Sequence, residues 1–127
     1  MAALAVGAPS TASATASAKC TVSSRVTTQW TQHHGRTMVK GFTAMVRITN
    51  NTNRPVPDWS MLWNGGAKTT YTKLWDAKWA KDGKWVAIQH GKHDATIYPH
   101  RTLTLGFTAT GARVLPSQVL LNGVACK

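Results

Sequence analysis

From Cys20 onward the chain alternates apolar and polar residues with the period of strands that bury one face. In "KGFTAMVRITN", Phe42, Ala44, Val46 and Ile48 face one way, and Thr43, Met45, Arg47 and Thr49 the other. "RTLTLGFTA" repeats the pattern with Leu103, Leu105 and Phe107 inward. "WSMLW" places Trp59, Met61 and Trp63 on one face, and "WVAI" sets Val86 and Ile88 inward, leaving Trp85 on the sheet surface. "QVLLNGVAC" supplies a last strand, and "NNTNRPVPD" reads as a turn-rich hairpin connection whose prolines interrupt pairing. The segment around Leu74, Trp75 and Trp79 also fits a short helix that Gly83 would end. The tetrapeptide "GFTA" occurs at Gly41 and again at Gly106, with no period around it, and reads as two similar strand starts. Short strands at this spacing predict an all-β protein, a sandwich or a barrel.

A chain of 127 residues makes one domain. Residues 1–18 differ from the rest: they carry no charge and no aromatic ring, and are mostly Ala, Ser and Thr. They end in Ala16-Ser17-Ala18, the small-residue pattern of a signal-peptidase site, although no basic segment precedes the apolar run. An Ala/Ser/Thr linker from a larger secreted protein accounts for the same composition. Either reading leaves residues 19–127 as the folded module and places it outside the cell. No run is long enough to span a bilayer as a helix, so no membrane partner is expected. Cys20 and Cys126 bracket the module and would form one disulfide in an oxidising compartment, with two unpaired buried thiols as the alternative. Neither has a second ligand at a zinc-like spacing.

Charge sharpens the question of function. Fifteen lysines and arginines face only Asp58, Asp76, Asp82 and Asp94, giving a net charge of +11. Such a field attracts polyanions whatever the specific ligand is. In "TKLWDAKWAKDGKW" the tryptophans Trp75, Trp79 and Trp85 sit among these lysines. They can be core, a stack for nucleic-acid bases, or a platform for sugar rings.

The order of Cys20, "QW" at Trp30, "GFTAMVRITN" from Gly41, "DW" at Trp59, "LWDA" at Trp75, "GF" at Phe107 and "LNGVAC" at Cys126 resembles the family 2 carbohydrate-binding modules. The likeness covers roughly residues 20–126. It implies an antiparallel β-sandwich, immunoglobulin-like and of jelly-roll type, with about nine strands and a disulfide between its ends. It also implies non-catalytic binding of insoluble cellulose, with chitin or xylan as further ligands, often beside a glycoside hydrolase. Members bind through a row of exposed aromatic residues. Position by position, Trp30 and Trp75 match the first two, and His93 stands where the family has a tryptophan. Lys73, Thr28, Gln29 and Thr104 would hydrogen-bond sugar hydroxyls at the edge. Trp59, Trp63 and Phe107 match buried positions, and Trp79 an aliphatic one. Trp85 is a further exposed aromatic candidate for sugar contact. The basic insertion "TQHHGRTMVK" departs from the family and would form a hairpin beside Trp30.

Other classes have weaker support. A glycosidase needs two carboxylates at a defined separation, and the four aspartates show no such pairing. A lytic polysaccharide monooxygenase begins with a copper-binding histidine, whereas the expected first mature residue is Lys19. His33, His34, His90, His93 and His100 include the pair "HGKH", a spacing that suits a helix better than the strands expected here. No cofactor or metal is expected, and a monomer is. The rival reading is a basic adhesion protein for nucleic acid or another anionic polymer, using the same tryptophans and lysines. Asn50-Asn51-Thr52 is also a glycosylation sequon.

Overall fold

The computed structural model describes residues 19–127. The expected leader or linker, residues 1–18, lies outside the described residues. Eleven strands follow in order: β1 (Cys20–His34), β2 (Thr37–Asn50), β3 (Val56–Pro57), β4 (Ser60–Asn64), β5 (Thr69–Leu74), β6 (Ala77–Asp82), β7 (Trp85–His90), β8 (Thr96–Ile97), β9 (Thr102–Gly111), β10 (Ser117–Leu121) and β11 (Val124–Ala125). They form a four-stranded sheet ordered β1-β2-β9-β5, a five-stranded sheet ordered β11-β10-β4-β7-β6, and the small β3-β8 pair. The all-β sandwich expected from the alternation is therefore present. Without the two-residue strands of the β3-β8 pair its count is the expected nine.

Each inward-facing set joins one core. Phe42, Ala44, Val46 and Ile48 of β2 meet Leu105, Phe107 and Ala109 of β9, and the other sheet supplies Met61, Trp63, Val86, Ile88, Val119 and Leu121. Trp59 and Trp63 are fully buried at 0% exposure. Tyr71 stacks on Phe107 with ring centroids 4.3 Å apart, and its hydroxyl accepts a hydrogen bond from Trp63 Nε1 at 2.9 Å. Burial pushes this phenol up to about 12, against the opposing effect of that hydrogen bond.

The helical alternative around Trp75 and Trp79 is not realised. Trp79 lies on β6 opposite Ile88, with its ring 6.0 Å from Tyr71. Asp76 interrupts the segment at φ 66, and burial of Trp79 against a neighbouring strand overrides the local spacing.

"NNTNRPVPD" is a crossing between sheets, not a hairpin connection, because β2 pairs with β1 and β9 while the next strands belong elsewhere. Asn50 organises the crossing: its buried amide donates to the carbonyls of Arg54 at 2.8 Å and Ile97 at 2.9 Å. Its Oδ1 accepts from the Thr52 backbone N–H at 2.9 Å. A side chain so enclosed is not available as a glycan acceptor. The Cys20–Cys126 disulfide is formed. It ties β1 of the four-stranded sheet to the residue after β11 of the five-stranded sheet, so it staples the two layers together.

A candidate binding platform on the four-stranded sheet

Strict alternation along β1 would turn Trp30 inward, in phase with Val22 and Val26. A bulge at Thr27 prevents this. Val26 pairs with Ala44, but Thr28 already pairs with Thr43, so one residue is left over and the phase flips. Trp30 then stands on the outer face opposite Gly41. A second bulge has the same effect on β5. Tyr71 pairs with Ala109 and Lys73 with Thr108, leaving Thr72 as the extra residue. Leu74 points inward, and Trp75 follows on the outer face with its N–H donating to the Gly106 carbonyl at 2.9 Å.

The two constructions are copies of one unit. In each, a T-x-x-W segment (Thr27 to Trp30, Thr72 to Trp75) lies against a GFTA segment (Gly41 to Ala44, Gly106 to Ala109). The bulge threonine donates its hydroxyl to a carbonyl of the GFTA threonine: Thr27 to Thr43 at 3.2 Å, Thr72 to Thr108 at 3.1 Å. The phenylalanines Phe42 and Phe107 meet edge to face in the core, with centroids 5.8 Å apart. The glycines seat the indoles. A Cβ on Gly41 would overlap Trp30 ring atoms, and one on Gly106 would lie 2.8 Å from Trp75 Cε3. Because β2 and β9 run antiparallel with Thr43 opposite Thr108, the units are related by a local two-fold axis through that pair. The hydroxyls of Thr43 and Thr108 meet there at 3.3 Å. Gly41 and Gly106 are four residues apart along the strands and one strand apart sideways, so strand geometry separates the two seats by roughly 14 Å.

The remaining expected site residues divide. Lys73 shares the platform face, its Nζ 5.4 Å from the centre of the Trp75 ring. Thr28 lies opposite Thr43, and Thr104 opposite Arg47, both on the outer face. Gln29 has the opposite parity, paired with Phe42, and its Oε1 accepts a hydrogen bond from the Arg113 guanidinium. It braces the sheet end beside Trp30. His93 sits exposed in the loop between β7 and β8. That loop begins beside the residue after Trp75: a Cβ on Gly91 would lie 3.2 Å from the Asp76 carbonyl oxygen. Farther on, Asp94 and Ala95 line a groove with Thr102 and Thr104. Along β9 the Trp30 seat lies level with Thr110 and the Trp75 seat at Gly106, and the loop that carries His93 reaches Thr102 and Thr104 through Asp94 and Ala95. Trp85, 37% exposed, lies on the outer face of the five-stranded sheet and is not brought together with the others.

The inserted hairpin continues past the sheet. β9 stops pairing where Thr110 meets Gly41, while β1 and β2 pair on to His34 and Thr37. Residues 31–40 therefore project as a two-stranded ribbon beside Trp30, turning at Gly35 (φ 66). Among the described residues no three His, Cys, Asp or Glu side chains converge as a metal-binding group. Sequence reasoning did not find the bulges, the seating glycines, or Met45, whose sulfur adjoins the Gly106 seat of Trp75. The signal for the seats was the repeated GFTA.

An outer sheet face carrying a line of indoles defines an aromatic platform on a β-sandwich. The cellulose binding domain family model matches residues 20–126, and the chain belongs to that family. Exoglucanase B of Cellulomonas fimi is 33% identical over 88 residues, covering 68% of this chain but only 8% of that protein. A cellulose/chitin binding protein of Mycobacterium bovis is 30% identical over 104 residues, 80% of this chain and 73% of that one. Among solved structures, the chitin-binding domain of Chi18aC from Streptomyces coelicolor shares the fold, with a TM-score of 0.64 at 23% identity over 86% of this chain and 95% of that domain.

Proposed function

We propose that this module is secreted and binds insoluble β-linked polysaccharide, cellulose foremost, without catalysing a reaction on it. The observation that carries the reading is the pair of T-x-x-W/GFTA units, which lift Trp30 and Trp75 onto one face against the strand alternation. The axial C–H face of a β-linked glucose is apolar. Covering one ring with an indole buries roughly 100 Å² and stabilises the contact by about 2–3 kcal/mol before ordering costs. A chain held in an insoluble lattice is already rigid and loses little further entropy on binding. His93 serves as a weaker third contact, and Lys73 and Thr104 meet hydroxyls along the row. Gln29 acts by bracing Trp30, and Trp85 stands outside the row. The module works as a monomer, and in a longer parent it would hold a glycoside hydrolase on its substrate.

The test is retention on insoluble cellulose, chitin, xylan and immobilised single-stranded DNA at low and high salt. Retention on polysaccharide at high salt, lost in Trp75→Ala, is the expected result. Binding to DNA alone, abolished by salt, would end the reading, because phosphate contacts weaken steeply with salt and indole stacking does not.

A further inference from the structure

The platform sheet is cationic, and its nearest carboxylates lie in flanking loops, Asp76 after Trp75 and Asp94 in the groove that Thr104 also lines. β1, β2, β5 and β9 contain Arg25, Lys40, Arg47 and Lys73, and no aspartate or glutamate. The one close contact between a carboxylate and a basic side chain among the described residues lies elsewhere, between Asp58 and the imidazole of His90 at 3.7 Å. Two of these cations are organised. Arg25 pairs with Met45 and Ser23 with Arg47, which makes Arg25 and Arg47 diagonal neighbours on the outer face, about 7–8 Å apart and somewhat closer at their Cβ atoms. Together with Ser23, Met45 and Thr104 they line a groove of about 480 Å³. The groove begins where the platform ends: a Cβ on Gly106 would touch both Trp75, at 2.8 Å, and Met45 Sδ, at 3.1 Å.

We infer that this groove is an anion subsite of the platform, taking a carboxylate carried on the polysaccharide beside the sugar stacked on Trp75. Guanidinium groups match carboxylates as planar, two-pronged donors, and they remain charged at every relevant pH. Ser23 and Thr104 add hydroxyl donors at the groove wall, and the Met45 thioether offers apolar contact to the sugar bearing the acid. Arg25 and Arg47 are like charges at diagonal positions on neighbouring strands, and a carboxylate bound between them offsets their repulsion. The preferred surface is therefore a cellulose-like β-glycan that also carries uronic-acid-type groups. This inference rests on the polysaccharide reading of the platform and deepens it.

The two readings separate on matched lattices: plain cellulose, and the same cellulose oxidised at its surface primary alcohols to carboxylates. At low salt the wild-type protein should bind the carboxylated surface about fivefold more tightly, and the advantage should shrink at 1 M salt, where the screening length is about 3 Å. Arg25→Gln/Arg47→Gln should lose that advantage and bind plain cellulose as the wild type does. Lys78→Gln/Lys84→Gln removes the same formal charge from the opposite sheet and should keep it. Equal wild-type affinity for both surfaces overturns the subsite. Equal losses in the two double variants also overturn it, since the preference then comes from net charge alone. Stronger competition by single-stranded DNA than by soluble polyglucuronate overturns it in favour of phosphate. Failure of the polysaccharide reading appears separately, as loss of wild-type adsorption to plain cellulose.

Discussion

The indole of Trp30 occupies the space that a side chain on its cross-strand partner Gly41 would fill. Gly106 does the same for Trp75. The lack of a side chain is thus what lets each ring settle against the sheet. Gly41→Ala and Gly106→Ala should each tilt one indole and weaken cellulose binding by about tenfold. The two-fold relation makes the losses similar. Adsorption isotherms beside melting curves check this: binding should fall while the fold persists.

The bulges make a second test. Thr27 and Thr72 each spend a hydroxyl on a neighbouring carbonyl, a hydrogen bond contributing about 1 kcal/mol. Thr27→Val and Thr72→Val should lower stability by about that amount. Deleting Thr27 should keep Trp30 outward, because it removes the left-over residue while Val26 still pairs with Ala44 and Thr28 with Thr43. Retained quenching of tryptophan emission by an acrylamide probe, together with retained adsorption to cellulose, is the expected outcome.

These bulges also explain what could be read from the sequence. Alternation alone identified the inward faces of β2, β7 and β9, because Phe42, Val86 and Leu105 follow the pleat without interruption. It could not orient Trp30 or Trp75, since a one-residue bulge leaves no trace in an apolar/polar pattern. Family resemblance supplied those two positions. "NNTNRPVPD" misled because its prolines and asparagines mark a turn equally well within a sheet and between sheets. The role of Asn50 depends on Ile97, distant in sequence.

The disulfide joins the layers at their chain ends across 106 residues. Closing such a loop is worth about 4–5 kcal/mol in the chain-entropy model. Reduction should lower the melting temperature without abolishing the fold, because the residues from Phe42 to Leu121 that fill the core of both sheets pack on one another without the bond. Mass spectrometry of the unreduced protein should find no free thiol, and calorimetry with and without reductant measures the shift.

Alkaline stability should report on Tyr71. Its phenol loses a proton at about 12 in the folded protein and at 10.0 when solvated. Below pH 10 its contribution is complete. As pH rises from 10 to 12 the unfolded chain releases the proton first, so stability falls, by roughly 2–3 kcal/mol from this group. Urea unfolding at stepped pH should therefore give a steeper decline for the wild type than for Tyr71→Phe. The variant starts lower, having lost the hydrogen bond from Trp63, and an equal slope in both proteins would refute the assignment.

The most informative substitution is at His93. Its loop follows Trp75 along β9, in the direction away from Trp30, so a larger ring there would lengthen the row. Imidazole covers less of a sugar than indole, and once protonated it prefers water. His93→Trp should tighten binding to an extended glucan by about 1–2 kcal/mol, from added apolar contact. Trp75→Ala should cost at least as much, because it empties the middle of the row. Trp85→Ala should change adsorption little, since Trp85 faces the other way from the five-stranded sheet. Isotherms on cellulose and titration with a long soluble β-glucan would rank the three variants. Tightening on the long glucan but not on a disaccharide would show that His93→Trp adds a contact beyond Trp75. A larger loss from Trp85→Ala than from Trp75→Ala would move the binding face to the opposite sheet.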